Sequence, residues 1–288
     1  MKKQASAQEE KNRVEKGKLY LVATPIGNLS DLSERAIKVL SEVDFIAAED
    51  TRNTLGLLSH FGISKPLVSY FEHNKKERGP EILARLIAGE SCALVTDAGT
   101  PGISDPGEDL VRLCADAGVP TSSIPGPVAA INALILSALP TGKFVFEGFL
   151  PVAKADRKER LAVLQNETRT ILFYEAPHKL RTTLADLAKT FGEGRRIALC
   201  RELTKLNEEV VRTTIGEAVA YYESTDPRGE YVLVVDGAEK HENPTVWENT
   251  PKEQVELYVK TGLSKMEAVK KVAKERGLAK NDVYKEMI

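Results

Sequence analysis

Six carboxylates stand beside glycine- and proline-rich stretches of this sequence: Glu49, Asp50, Asp97, Asp105, Glu175 and Glu202. A carboxylate just past a strand end can bond a ribose or an amine, accept a proton, or simply cap the next helix. Asp105 precedes Pro106 and has the position of a cap. Asp97 has small neighbours and has the character of a functional group. In Arg201-Glu202-Leu203-Thr204-Lys205 two cations flank one carboxylate, a pattern that suits an exposed ion-pair network or a seat for a polyanion. Glu49, Asp50, Arg52, His73 and Asn74 are candidates for the substrate side, although a lone His73 is also what an ordinary surface histidine looks like.

These groups need elements to position them. Four loops carry the required turns: Val22–Asn28 (VATPIGN), Val95–Gly107 (VTDAGTPGISDPG), Ile124–Ala133 (IPGPVAAINA) and Leu172–Leu180 (LFYEAPHKL). Glycine and proline at this density weaken helices and strands, so sharp turns are required there. In open α/β sheets, ligands bind at the carboxyl ends of strands, where such turns let the backbone come close. Any one loop alone could be an ordinary turn; four together point to one composite small-molecule pocket.

The first loop has Thr24 and Pro25 where a GxGxxG pattern needs glycines, and GxxxxGK[ST], GxSxG and HExxH are absent from the sequence. A pocket without an obvious nucleophile, metal or phosphate cradle suits a reaction whose chemical power resides in a bound cofactor. No metal is expected. Cys92, Cys114 and Cys200 are scattered and odd in number, which argues against a disulfide framework or a zinc site and fits a reducing cytoplasm. The 288 residues, 42% hydrophobic and 28% charged, suit two compact domains with room for a small third. The net charge of −2 excludes a chain that is basic throughout. No apolar run is long enough for a bilayer, and the charged start is no secretory signal, so no membrane partner is expected.

Residues 1–18 read as a flexible arm. Residues 19–139 alternate strands (Leu19–Ala23, Phe45–Ala48, Cys92–Thr96, Thr121–Ile124) with helices (Asp31–Glu42, Pro80–Ala88, Pro106–Ala117, Ala129–Leu139 and one through Leu55, Leu58 and Phe61). That alternation predicts a doubly wound parallel layer. Asp31 and Glu34 have capping-box spacing. Residues 140–237 have strands at Phe144–Phe149, Thr170–Tyr174, Arg196–Cys200, Glu209–Thr214 and Tyr231–Asp236 with few helices between the last ones, which predicts a mixed sheet. Residues 238–250 read as a linker. Residues 251–288 resume helical periodicity, with a Ser264/Glu267 capping box and with Ala273, Gly277 and Val283 at helix-turn-helix offsets. From Lys260 onward there are eight Lys/Arg against four Asp/Glu, compatible with a packing appendage or with RNA contact.

The four loops in this order and spacing resemble the tetrapyrrole-methylase-like (class III) S-adenosylmethionine methyltransferases. TPIGNLSDLSERA, AAEDTR, DAGTPGISDPG, PGP, FYEAPHKL and RELTK resemble the branch of that superfamily that acts on small-subunit ribosomal RNA. The resemblance implies two α/β domains with S-adenosylmethionine between them, a homodimer, and methylation of the ribose 2′-oxygen of a decoding-centre cytidine in 16S rRNA of the 30S subunit. A DNA partner is not implied. By motif, the cofactor walls would be Pro25, Ile26, Gly27, Asp97, Ala98, Gly99, Thr100, Ile103, Val128, Ala129, Tyr174, Glu175 and Leu203. Asp97, Glu175 and Glu202 would be candidate bases, Lys205 an electrostatic support, and Arg52, His73 and Asn74 substrate contacts. Two other readings stay open: a tetrapyrrole methyltransferase, disfavoured by the altered first loop and the basic tail, and a non-enzymatic RNA-binding ribosome-assembly protein.

Overall fold

The computed structural model describes residues 13–239, 249–276 and 278–287. Most of the expected arm, most of the expected linker and the turn residue Gly277 lie outside the described residues. The chain divides after Ala238 into two compact units.

The first unit holds two five-stranded sheets. Strands β1 (Leu19–Val22), β2 (Phe45–Ala48), β3 (Leu67–Ser69), β4 (Cys92–Val95) and β5 (Thr121–Ile124) form an all-parallel sheet in the order β3-β2-β4-β1-β5. LYLV, FIAA and CALV are short apolar runs because a parallel sheet is covered on both faces. Helices α1 (Glu34–Glu42), α2 (Thr51–His60), α3 (Lys75–Ile87) and α4 (Gly107–Asp116) make the crossovers. Because β1 lies between β4 and β5, the loops that leave these three strands emerge side by side.

Several boundaries differ from the expected ones. Leu29–Asp31 form a single 3₁₀ turn, and α1 is capped by Ser33, whose Oγ accepts from the Ala36 N–H at 3.1 Å, instead of by an Asp31/Glu34 box. Helix α3 starts at Lys75 and carries Pro80 inside it. The Asn74 side chain accepts from the Phe71 N–H and donates to the Ser69 carbonyl, which turns the chain into that helix early. The three-residue β3 was not expected from its sequence, and it is only half-buried at the sheet edge.

Helix α5 (Ala129–Leu136) joins the two sheets. Its Ala130, Ala133 and Leu134 pack with Leu172, Ala198, Val232 and Val234 of the second sheet in one apolar cluster. That shared core holds the sheets together, and burial of a leucine such as Leu134 contributes about 1.5–3 kcal/mol. The second sheet is formed by β6 (Phe144–Gly148), β7 (Thr170–Glu175), β8 (Arg196–Arg201), β9 (Glu209–Thr214) and β10 (Tyr231–Val235), in the order β6-β7-β10-β8-β9. It is mixed: β6 and β7 are parallel, and the remaining pairs are antiparallel. Helices α6 (Lys154–Leu164), α7 (Pro177–Phe191) and α8 (Ile215–Ser224) cover its other face.

The second unit packs α9 (Pro251–Lys260), α10 (Lys265–Arg276) and α11 (Lys280–Lys285) around Val255, Ala268, Val269, Val272, Ala273 and Val283. Ser264 and Glu267 form the expected reciprocal cap of α10. Lys265, Lys270, Lys271, Lys274, Lys280 and Lys285 are exposed. Among the described residues no helix is long and apolar enough to cross a membrane.

Candidate active site

The loop after β1 and the loop after β4 are locked by a two-residue bridge. The Thr24 N–H donates to the Gly99 carbonyl at 2.9 Å, and the Gly99 N–H returns the bond at 3.1 Å. Gly99 has φ +85°, which an L side chain adopts only under strain. Thr24 is buried and its Oγ1 donates to the Thr96 carbonyl at 3.2 Å. Farther along, the Asp105 carboxylate accepts from the N–H groups of Gly102, Ile103 and Gly107, so it caps α4 and fixes the loop as its position implied.

The second sheet contributes from one edge. Tyr231 pairs with Glu175 on one side and with Arg201 on the other, so the end of β7, the end of β8 and the start of β10 are adjacent. The turn after β8 is tight, with Glu202 (φ +50°) and Thr204 (φ +67°) both left-handed around Leu203. A Cβ placed on Gly27 would lie 2.3 Å from the Lys205 Cγ, so only glycine lets the first loop reach this turn.

Between the sheets lies a cavity of about 550 Å³, within the size range of small-molecule sites. Ile26, Ala98, Gly99, Thr100, Ile103, Val128, Ala129, Tyr174, Glu175 and Leu203 line it, as does Lys205. Pro25, Gly27 and Asp97 do not; they line a neighbouring groove of about 430 Å³. Glu202 faces a third, smaller hollow with Arg201 and Arg228. Arg52, His73 and Asn74 line none of the three. Arg52 is an exposed partner of Asp50, which caps α2, and Asn74 is occupied by the turn before α3.

The carboxylates are differently engaged. Glu175 is buried; one oxygen accepts from the Ala176 N–H at 2.9 Å and the other from the Thr183 hydroxyl. Glu202 accepts from Lys205 Nζ and from the Glu230 N–H, both at 2.9 Å. Burial works to raise the Glu202 pKa, but these donors hold it below the ordinary carboxylate value. Burial likewise opposes the Lys205 charge, yet Glu230 and Glu202 keep its pKa above the usual lysine value. Asp97 is exposed to the groove and accepts from the Asp50 N–H at 3.2 Å and from Asn53 Nδ2 at 3.1 Å. Glu49 lines the larger cavity with its pKa raised by burial and by the neighbouring Asp97.

Sequence reasoning did not single out Phe149, His178, Glu230 and Tyr231, which also line the larger cavity. His178 stood inside the quoted FYEAPHKL loop. Glu230 and Tyr231 arrive through the antiparallel register of β10, for which local sequence carries no signal. Phe149 is 60% exposed and its ring centroid lies 5.7 Å from that of Tyr174, giving the cavity an aromatic wall.

The sequence pattern of the family described as Tetrapyrrole (Corrin/Porphyrin) Methylases matches residues 18–219. The chain belongs to this family. It is 47% identical over 268 residues to "Ribosomal RNA small subunit methyltransferase I" of Synechocystis, covering 93% of this chain and 96% of that protein. The protein of that name from Halalkalibacterium halodurans is 48% identical over 287 residues, covering 99% and 98%. Within the family, the chain is therefore a member of the ribosomal RNA small subunit methyltransferase I group. The fold is also that of solved tetrapyrrole methyltransferases. A cobalt precorrin-4 methyltransferase superposes with a TM-score of 0.55 at 16% identity, covering 76% of this chain and 95% of that one. A uroporphyrin-III C-methyltransferase from Thermus thermophilus, complexed with S-adenosylhomocysteine, gives 0.54 at 18% identity, covering 75% and 96%.

Proposed function

We propose that this protein transfers a methyl group from S-adenosylmethionine to the ribose 2′-oxygen of a decoding-centre cytidine in 16S rRNA. The observation that carries this reading is the near-complete alignment, at 47–48% identity, with relatives named for methylation of small-subunit ribosomal RNA. The departure of the first loop from the glycine-rich pattern, and the low identity to the tetrapyrrole enzymes, weigh against a tetrapyrrole substrate.

The cavity residues fit S-adenosylmethionine. Ile26, Val128 and Leu203, with the Phe149–Tyr174 pair, offer apolar and aromatic walls for an adenosyl group. Glu49 offers negative charge to a cationic ligand. When bound, the cofactor supplies a methyl already activated on a sulfonium. The chain's own residues then have to orient the hydroxyl at about 3 Å, exclude water and take its proton. We assign the last task to Asp97, a reading supported by its exposed carboxylate on the groove beside the cavity. Glu175 is buried with both oxygens engaged, which suits positioning of the Glu175–Pro177 turn, whereas Asp97, also hydrogen-bonded through both oxygens, is exposed. Lys205, held between Glu202 and Glu230, is a fixed positive charge at the cavity wall.

Labelled S-adenosylmethionine incubated with the protein and either naked 16S rRNA or 30S subunits tests the reading. Label on a single cytidine 2′-oxygen is expected; no label on either RNA would overturn it. The exposed lysines of α10 and α11 suit phosphate contacts without base reading. Deleting residues after Gly237 is therefore expected to weaken 30S binding and flatten its dependence on salt, because fewer counterions are released. Cofactor affinity is expected to be unchanged by that deletion. An unaltered salt slope with a lowered melting temperature would assign the tail to packing.

A homodimer in the cytoplasm completes the proposal. Helix α5 leaves Ile131 and Ile135 exposed (42% and 64%), and Leu206, between β8 and the edge strand β9, is 99% exposed. Such apolar exposure suits burial against a second copy. Sedimentation is expected to show a dimer for the native chain and a monomer for Ile135→Glu; a native monomer would remove this part of the reading.

A further inference from the structure

The Thr24·Gly99 bridge separates two openings that share Thr96. Along the loops consecutive residues divide between them: Ile26 and Ala98 line the larger cavity, and Pro25, Gly27 and Asp97 line the groove. The outer wall of the groove is helix α2. Asn53, Leu57 and His60 lie four and then three residues apart, hence on one helical face, with Thr54 and Gly56 beside them. None of these five residues is explained by the cofactor cavity.

We propose that this groove seats the acceptor nucleotide of the RNA, with the ribose toward Thr96 and the base against α2. The inference rests on the methyltransferase reading above and adds the place and the residues that hold the acceptor. A transferable group held in the larger cavity can meet an acceptor seated in the groove only where the two openings join, and Thr96, which lines both, marks that junction. The groove supplies what a single unstacked nucleotide needs. Pro25, Leu29 and Leu57 give apolar surface for the faces of a base, and Leu29 is 43% exposed, so that surface is open. Asn53, His60 and Asp97 give polar groups for its edges and for the ribose. Asp97 takes the Asn53 amide N–H, which fixes that side chain on the groove wall.

Gly56 makes the test clean. It lines the groove, its φ is not in the left-handed region, and a Cβ placed there meets no atom within 4 Å. A side chain at this position starts in open space on the α2 face that walls the groove, so a large one reaches into it, and leaving glycine favours the helix. Gly56→Trp is expected to lower methyl transfer to 16S rRNA or 30S subunits by more than about a hundredfold. Its S-adenosylmethionine affinity by calorimetry is expected to stay within about threefold of the native value, with an unchanged melting curve. Leu55→Trp is the control: Leu55 is on the same helix, 56% exposed, and outside the groove, and full activity is expected. Native-like transfer by Gly56→Trp, in a preparation whose native protein methylates rRNA, would overturn the inference and leave the methyltransferase reading standing. Loss of cofactor affinity together with transfer would also overturn it, by making the groove part of the cofactor site. A native protein that transfers no methyl group would instead sink the function itself.

Discussion

Replacing Ala98 with Phe is expected to weaken S-adenosylmethionine binding by at least about a hundredfold, or ~2.7 kcal/mol, with little change in melting temperature. Ala98 lines the larger cavity from an exposed loop, so the new ring occupies ligand space without displacing core. Its backbone carbonyl, which accepts from the Thr96 hydroxyl at 3.1 Å, is retained by the substitution. The adjacent Gly99 is a poorer position for this experiment. At φ +85° any side chain strains the backbone, and a Cβ there would face Ile26 and the Pro127 carbonyl at 3.5 and 3.7 Å. A valine at Gly99 would confuse an unstable loop with a filled pocket. Calorimetric titration of Ala98→Phe decides the question: native affinity with a native melting curve would place the cofactor outside this cavity.

Much of the cavity was legible because its walls are local. A strand followed at once by Gly and Pro gives both the position of a turn and the reason for it, and three such loops leave neighbouring strands of a parallel sheet. Asp105 was legible for the same reason, since a cap acts within a few residues of itself. The division of the first loop between two openings was not legible. Pro25, Ile26 and Gly27 are contiguous in sequence, and only the Thr24·Gly99 bridge sends Ile26 to one side and its neighbours to the other. Glu175 and Glu202 looked alike as acids after strands. Their difference comes from remote donors: Thr183 from α7 takes one, and Lys205 with the Glu230 amide takes the other. The α2 face was hidden because Asn53, Leu57 and His60 carry no motif and gain meaning only from what the fold sets opposite them. Arg52, a substrate-side candidate by sequence, is instead paired with Asp50 at the start of α2.

Asp97→Asn is expected to reduce methyl transfer by more than about a hundredfold while cofactor affinity changes little. The carboxylate has two roles that the single substitution does not separate. Its negative charge can take the hydroxyl proton, and its two oxygens hold the Asp50 N–H and the Asn53 amide. An asparagine at 97 keeps one acceptor oxygen and turns an NH₂ toward the other donor, so the loop and α2 also lose a contact. Pairing it with Asn53→Asp resolves this. In the double variant the amide at 97 can donate to a carboxylate at 53, which restores the link between β4 and α2 and moves the charge across the groove. If Asp97 acts as the base, the double variant stays within about tenfold of the single one, because the charge no longer stands at the ribose. If Asp97 only ties the loop to the helix, kcat returns toward the native rate, and what the changed side chain at 53 costs acceptor binding is confined to KM. A single variant within about threefold of native, under ~0.7 kcal/mol, would remove Asp97 from the chemistry altogether.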